Sequence, residues 1–321
     1  MVRMFVDHPE HDPSRTQTRQ VPKTWQLLSR RRIASSVRGV RDADDSSSIE
    51  WTGCALMGVV NTTPDSFSDG GLYLTEAAAI AHARQLVADG AFVVDIGGES
   101  TRPGADEVCL DEELHRTIPV IERIAADGEV LISVDTRKPP VAAAAIAAGA
   151  HIVNDVGGLR LPAMVEVCAR AGVPAIIMHM RGDPADMQQN PQYADVVGEV
   201  VDWLLEQADT ALAQGVSSVM VDPGIGFGKT LTHNVALLRA LPLTDRYPTL
   251  IGASRKRSIQ QMASLSPTAD RDIASIAAHL FAARHGTAMV RVHDVAGHRQ
   301  AFAVETYLAT DSPDVGTDTE M

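Results

Sequence analysis

The sequence predicts an α/β fold, a single-domain (β/α)8 TIM barrel with an amino-terminal extension, and two observations carry that expectation. Eight times between residues 55 and 293 a short apolar run ends in a polar side chain, a loop follows, and a helix-like stretch comes next. Near-continuous apolar strands separated by helices are the pattern of parallel strands buried on both faces. The second observation is their number, because eight such units close a barrel, whereas an open α/β sheet with incidental polar strand ends rarely runs so far. In a closed barrel the chemistry sits at the carboxyl ends of the strands. The last residues of each run are therefore the ones to read.

The first run, residues 55–61, ends on the amide Asn61. Its loop, Asn61-Thr62-Thr63-Pro64-Asp65-Ser66-Phe67-Ser68-Asp69-Gly70-Gly71, is long and polar and ends in two glycines, which suits a mobile lid. The second run, 92–95, ends on Asp95, and the loop Gly97-Gly98-Glu99-Ser100-Thr101-Arg102-Pro103-Gly104 offers backbone N–H groups and a guanidinium to an anion. The third and fourth, 131–135 and 152–155, bring Asp135 and Asn154. The fifth, 175–179, ends on His179, which reads as orienting or structural because no second His or carboxylate stands at metal-ligand spacing. The sixth, 218–222, ends on Asp222 and runs on as Pro223-Gly224-Ile225-Gly226-Phe227-Gly228-Lys229-Thr230. That stretch looks like a phosphate-binding loop, but it is one residue too short and follows Asp-Pro. Its glycines instead let the backbone pass beside a planar ligand, with Phe227 as an apolar wall. The seventh, 250–255, leads into Ser254-Arg255-Lys256-Arg257, and the eighth, 289–293, carries Arg291 and His293 on one side of the strand.

Asp95, Asp135, Asn154 and Asp222 end four different strands. A lone Asp at such a place is often an N-cap; four groups facing Lys256 make a mixed set of acceptors and donors. Such a set suits a flat heterocycle with several N–H groups and a carbonyl. Arg291 and His293, beside Arg255, form a cationic group where barrels of this type often bind phosphate.

The chain of 321 residues holds one barrel of about 250 residues plus extra segments. A net charge of −13 argues against nucleic acid bound through a broad basic face. No apolar stretch approaches the roughly 20 residues of a membrane span. Cys54, Cys109 and Cys168 are far apart and odd in number, which indicates neither a disulfide framework nor a zinc site and fits a reducing cytoplasm. Residues 1–52 are polar, carry Arg30-Arg31-Arg32 and an Asp/Ser cluster, and lack the apolar core of a secretory signal. They are expected to be partly disordered, with a short element between Trp25 and Ile33 capping the barrel bottom. The barrel is expected over 53–308, followed by an acidic mobile tail at 309–321.

Together the loops at 61–71 and 97–104, Ser133-Val134-Asp135-Thr136, Asn154-Asp155, Met178-His179-Met180-Arg181-Gly182, the stretch 222–229, Ser254-Arg255-Lys256 and Arg291-Val292-His293-Asp294-Val295 resemble the dihydropteroate synthase family. They occur in family order over residues 55–308. The resemblance implies a homodimeric, sulfonamide-sensitive transferase of folate biosynthesis. It would join 6-hydroxymethyl-7,8-dihydropterin pyrophosphate to p-aminobenzoate with Mg²⁺ and release pyrophosphate. By the same resemblance the pterin lies against Asp95, Asp135, Asn154, Met178, Asp222 and Lys256. Asn61, Arg102, Arg291 and His293 hold the pyrophosphate, and Asn61 contacts Mg²⁺. Phe67, Thr101, Arg102, Pro103, Phe227, Ser254 and Arg255 build the p-aminobenzoate site. Asp69 sits over the reacting methylene, giving Asp69, Asp135, Asp222 and Lys256 as the catalytic set. The chain departs from the pattern at Arg257, where many relatives have Ser, and in its long extension. Two other readings use the same barrel. A methyltetrahydrofolate-binding corrinoid methyltransferase has no need of Arg291-x-His293 or the two loops, and a non-catalytic pterin-binding paralogue is expected to have lost residues that stand intact here.

Overall fold

Along each barrel strand a period of two decides which of two cores a side chain enters. The computed structural model describes residues 24–26, 41–42, 48–62, 72–101, 105, 107–183 and 186–309. A small antiparallel sheet of β1 (Thr24–Gln26), β2 (Arg41–Asp42) and β3 (Ser48–Glu50) precedes the barrel. The barrel strands are β4 (Ala55–Asn61), β5 (Val93–Gly97), β6 (Leu131–Asp135), β7 (Ile152–Asp155), β8 (Ala175–Met178), β9 (Val219–Asp222), β10 (Leu250–Ile251) and β11 (Met289–Val292). All eight expected strands are present, and they pair in parallel in the order β10-β11-β4-β5-β6-β7-β8-β9. A parallel bridge between Val221 and Thr249 joins the ends of that order and closes the barrel. The seventh strand is shorter than expected, since the chain leaves the sheet at Gly252 and turns through Arg255 at φ 58°.

Around the strands lie α1 (Leu72–Asp89), α2 (Leu110–Asp127), α3 (Pro139–Ala148), α4 (Pro162–Ala171), α5 (Val196–Ala213), α6 (Leu231–Arg239), α7 (Arg257–Met262), α8 (Asp272–Arg284) and α9 (Val295–Ala309). Local chemistry sets their ends. Pro139 and Pro162 open α3 and α4, where a missing N–H costs nothing. Asp195 caps α5 by accepting the Val197 N–H, and Thr230 and His233 cap α6 reciprocally. Left-handed Gly128 and Gly172 end α2 and α4.

Outward strand residues such as Leu56, Val94, Ile132, Val153, Ile177, Val221 and Val290 pack with the helices in one core. Their inward neighbours Met57, Val93, Leu131, Ile152, Ile176, Met220, Leu250 and Met289 fill the barrel floor. One step further along, the inward positions become Asp95, Ser133, Asn154, Met178, Asp222 and Arg291. Most strands thus climb from an apolar floor to a polar rim, while β8 stays apolar through Met178 and β10 ends below that level.

The floor is completed from the amino-terminal side. Ile49, on β3, and Trp51 belong to the floor core, the Trp51 ring lies 5.6 Å from that of Phe92, and its Nε1–H donates to Ala288 O at 3.0 Å. Buried packing therefore begins before residue 53, with Ile49 and Trp51, while most of the Trp25–Ile33 segment expected to cap the barrel bottom lies outside the described residues. Of that segment the structure describes Trp25 and Gln26, which with Thr24 form β1 and pair with β3, Trp25 opposite Ile49. The polar composition around Ile49 and Trp51 masked two isolated apolar side chains. Most of the extension and residues 310–321 lie outside the described residues. Trp51→Ala is expected to cost about 3 kcal/mol of stability, read from the shift in denaturant midpoint, with Trp51→Phe losing less.

Candidate active site

The polar rim is organised around one guanidinium. Arg291, on β11, donates from Nε to Asp95 Oδ2 at 2.6 Å and from Nη2 to Asp135 Oδ2 at 2.8 Å. The same Asp95 oxygen accepts from Asn154 Nδ2 at 3.0 Å. Asp95 Oδ1 is buried and has no hydrogen-bond partner among the described residues, and neither has Ser133 Oγ, on the residue paired with it across β5 and β6. Burial raises the pKa of the Asp135 carboxyl although Arg291 pulls it down. Burial opposes the Arg291 charge, and the two carboxylates more than restore it.

Across the mouth Asp222 ends β9, its Oδ1 accepting the Gly224 N–H at 2.7 Å. Burial raises its pKa and Lys256 opposes the shift. Lys256 Nζ donates to Ile225 O at 2.5 Å and stands 4.4 Å from the centre of the Phe227 ring. Burial lowers its pKa to about 8, against the pull of Asp222. A Cβ placed on Gly252 would lie 3.7 Å from Asp222 Oδ2, 3.8 Å from Lys256 Nζ and 3.7 Å from Arg291 Cβ. The acidic groups of the middle strands and the basic groups of the last two therefore share one mouth. Met178 and Phe227 pack with Val156, Met180 and Met187 as its soft apolar wall.

Other expected residues fall in several places. Asn61 ends β4 half-buried opposite Gly97, and Thr101 is half-buried in the second loop. Ser254 Oγ bonds His293 Nδ1 at 2.9 Å and accepts the His293 N–H at 3.2 Å, which seats the imidazole at the rim. Phe67, Asp69, Arg102 and Pro103 lie outside the described residues. Arg257 is exposed at the start of α7.

Three expectations change. Arg255 does not face the mouth: its guanidinium grips Asp272 of α8 at 2.6 and 2.7 Å, because the left-handed turn at φ 58° sends it away from Ser254 and Lys256. Arg291 is not a cation free for an anion, since two of its N–H groups are bound by carboxylates; its other N–H groups are left for a ligand. Two glycines of the β9 loop make room for protein backbone, and the third, Gly226, for the Lys256 side chain, whose Cδ would stand 3.2 Å from an added methyl. A Cβ on Gly224, at φ +66°, would meet His179 O at 2.0 Å, and one on Gly228 would meet Arg181 O at 2.6 Å.

Lys229 has no role of its own in the sequence reading, only a place in a rejected phosphate-loop pattern and at the end of the family-like stretch 222–229. It is 3% exposed, and its Nζ reaches His179 Nδ1 at 3.0 Å, His179 O at 3.3 Å and Phe227 O at 2.9 Å. Burial lowers its pKa to about 7, partly offset by Asp222. Burial, then the Lys229 charge, takes His179 to about 3. His179 is thus a neutral acceptor in a clasp that ties the β8 and β9 loops together and holds the Phe227 wall.

Comparison with known proteins follows the same geometry. Residues 57–293 match the model of a family described as pterin binding enzyme. Dihydropteroate synthase of Escherichia coli (strain K12) is 44% identical over 253 residues, covering 78% of this chain and 89% of that protein. A crystal structure of Xanthomonas albilineans dihydropteroate synthase with 4-aminobenzoic acid superposes with a TM-score of 0.77 at 46% identity, over 82% of this chain and 96% of that one. The same enzyme in complex with 7,8-dihydropteroate gives a TM-score of 0.73 at 44% identity, over 80% and 95%.

Arg291→Ala leaves two carboxylates facing each other in the barrel and is expected to cost about 3 kcal/mol in denaturant unfolding. The Asp135 carboxyl, raised by burial and pulled down by Arg291, then favours its protonated form, so the gap to the parent protein should narrow as the pH is lowered.

Proposed function

The chain belongs to the dihydropteroate synthases, pterin-binding transferases of folate biosynthesis, and we propose that it joins 6-hydroxymethyl-7,8-dihydropterin pyrophosphate to p-aminobenzoate, forming 7,8-dihydropteroate and pyrophosphate. The observation that carries this reading is the convergence of Asp95, Asp135, Asn154, Asp222 and Lys256 on one buried rim. The unpaired Asp95 Oδ1 waits there for a donor. A pterin offers the complementary pattern: a guanidine-like edge of N–H groups for Asp222, and ring carbonyl and nitrogen acceptors for Lys256.

In this reading His293, Asn61 and the free N–H groups of Arg291, with Arg102, hold the diphosphate. Among the described residues no group of three or more His, Cys, Asp or Glu is placed to hold a metal. The Asn61 amide oxygen, a hard neutral ligand of the kind Mg²⁺ takes, would hold the ion beside the diphosphate. The ion would neutralise the leaving group. The bond between the methylene carbon and the bridging oxygen breaks first, its electron pair leaving with the diphosphate. The methylene carries positive charge spread into the pterin, and the buried carboxylates, Asp135 among them, stabilise it. The arylamine nitrogen of p-aminobenzoate then bonds to that carbon and releases a proton. Asp69 would lie over the methylene. Thr101, Phe227 and Ser254 would hold p-aminobenzoate, with Phe67 and Pro103. Arg255, through Asp272, fixes the turn that presents Lys256.

No helix among the described residues is long and apolar enough to cross a membrane. The free cysteines Cys54, Cys109 and Cys168 suit the reducing cytoplasm we propose. A homodimer is favoured by α8, where Ile273, Ala277 and Phe281 are exposed at four-residue spacing and Ile273 is 85% exposed. Light scattering is expected to give twice the chain mass, and Ile273→Glu to give monomer.

The function is tested by pyrophosphate release, which should require p-aminobenzoate and fall on chelation of Mg²⁺; release indifferent to p-aminobenzoate overturns it. Scrambling of an isotopic label from the bridging oxygen into the diphosphate before p-aminobenzoate is added should accompany the dissociative order. Lys256→Ala or Asp222→Ala should abolish pterin binding by calorimetry. Because the Lys256 pKa lies near 8 rather than at its ordinary 10.5, its charge is lost as the pH rises through that value. Pterin affinity should fall over the same range, and unchanged affinity at high pH would remove Lys256 from the site.

A further inference from the structure

A buried ionic cluster lies behind the second loop, outside the set that touches substrate. Lys138 Nζ donates to Glu99 and, at 2.6 Å, to Glu113 Oε2. Arg137 Nη2 donates to Glu99 Oε1 at 2.9 Å, and Thr136 Oγ1 to Glu113 Oε1 at 2.5 Å. Glu113 is 1% exposed, and the side chains of Glu99 and Lys138 are 7% and 17% exposed. Arg137 Nη2 also meets the exposed Glu107 carboxylate at 3.4 Å, so two cations answer the two buried carboxylates and one at the surface.

Its members come from three places: Glu99 from the loop after β5, Glu113 from the first turn of α2, and Thr136, Arg137 and Lys138 from the turn after Asp135. The loop is pressed down on this base. A Cβ on Gly98 would meet Thr117 Cγ2 at 2.8 Å and Glu113 Cγ at 3.0 Å, and Arg116 Nη1 donates to Gly98 O at 3.1 Å. Gly97 leaves room for Asp135, whose Cβ would stand 3.2 Å from an added methyl. Between Gly97, which touches a pterin-site carboxylate, and Thr101, Glu99 is the charged anchor. Its ammonium partner Lys138 stands three residues beyond that same carboxylate in sequence.

A buried ion pair adds little net stability compared with an apolar pair of the same shape. What this one supplies is position, because an ammonium shared by two carboxylates from different elements fixes the loop relative to both. We infer that Lys138, bridging Glu99 and Glu113, is a positioning residue that fixes residues 97–101 of the second loop beside Asp135 at the barrel mouth and thereby governs affinity for p-aminobenzoate and arylamine analogues. The inference rests on the reading that this loop serves the second substrate. It assigns no chemistry to Lys138, which lies behind the loop.

Steady-state kinetics on Glu99→Gln, Lys138→Met and Lys138→Arg test it. Glu99→Gln is nearly isosteric and keeps the test intact if Lys138→Met does not fold. Both are expected to raise KM for p-aminobenzoate about ten-fold, since small displacements of a positioning group are felt strongly. KM for the pterin pyrophosphate and kcat at saturation should stay within about two-fold. Inhibition constants of sulfonamides should rise in parallel with the p-aminobenzoate KM. Lys138→Arg, which keeps the charge, should recover most of the lost affinity. An unchanged p-aminobenzoate KM in both variants overturns the inference, as do equal rises in both KM values with a lowered Tm, the mark of a merely structural cluster. A parent enzyme that releases no pyrophosphate overturns the functional reading itself, whereas an active parent with unaffected variants overturns the inference alone.

Discussion

The Arg291 guanidinium held between Asp95 and Asp135 is the interaction on which the rest of the rim depends. Carboxylates from neighbouring strands point into a closed barrel that excludes most water, and without a cation they would repel each other or take up protons. One guanidinium meets both, because its planar fork offers separate N–H groups to each. It leaves Asp95 Oδ1 unpaired. The rim is therefore stable without ligand and still offers a buried acceptor to a partner that brings its own donor.

This layer can exist because the layer beneath it is dry. Met57, Leu131, Ile152, Ile176 and Met289 fill the floor, and Ile49 and Trp51 close it from below. A period of two along most strands then lifts the next inward side chain into the polar zone while its neighbour goes to the helices. The loops above are held by separate clasps: Lys229 on His179 and Phe227, Arg255 on Asp272, and Lys138 on Glu99 and Glu113. Each clasp ties a loop bearing a candidate ligand contact to a neighbouring element. Each uses a cation whose carrier shows no helical or strand periodicity.

The chain's pattern made the barrel legible because apolar runs and their polar ends are local features. Asp95, Asp135, Asn154 and Asp222 could be named from their places at strand ends, and closure of the sheet brings them together. Arg255 was misplaced because a left-handed turn reverses its direction, and no neighbour in sequence announces that turn. Lys229 was overlooked because its partners, the His179 ring and carbonyl, lie 50 residues away in the chain. The sequence reads the β9-loop glycines as space for a ligand, whereas Gly224 and Gly228 are crowded by backbone at His179 and Arg181, contacts that arise only once β8 and β9 stand side by side.

Sequence by itself thus determined the eight strands, the identity of the rim residues and the family to which they belong, because periodicity and motif order are properties of the chain alone. Tertiary structure decided which cation answers which carboxylate, which glycine is crowded, and which apolar residues plug the floor. Those outcomes depend on distances between segments far apart in the chain, and such distances exist only after the barrel has closed.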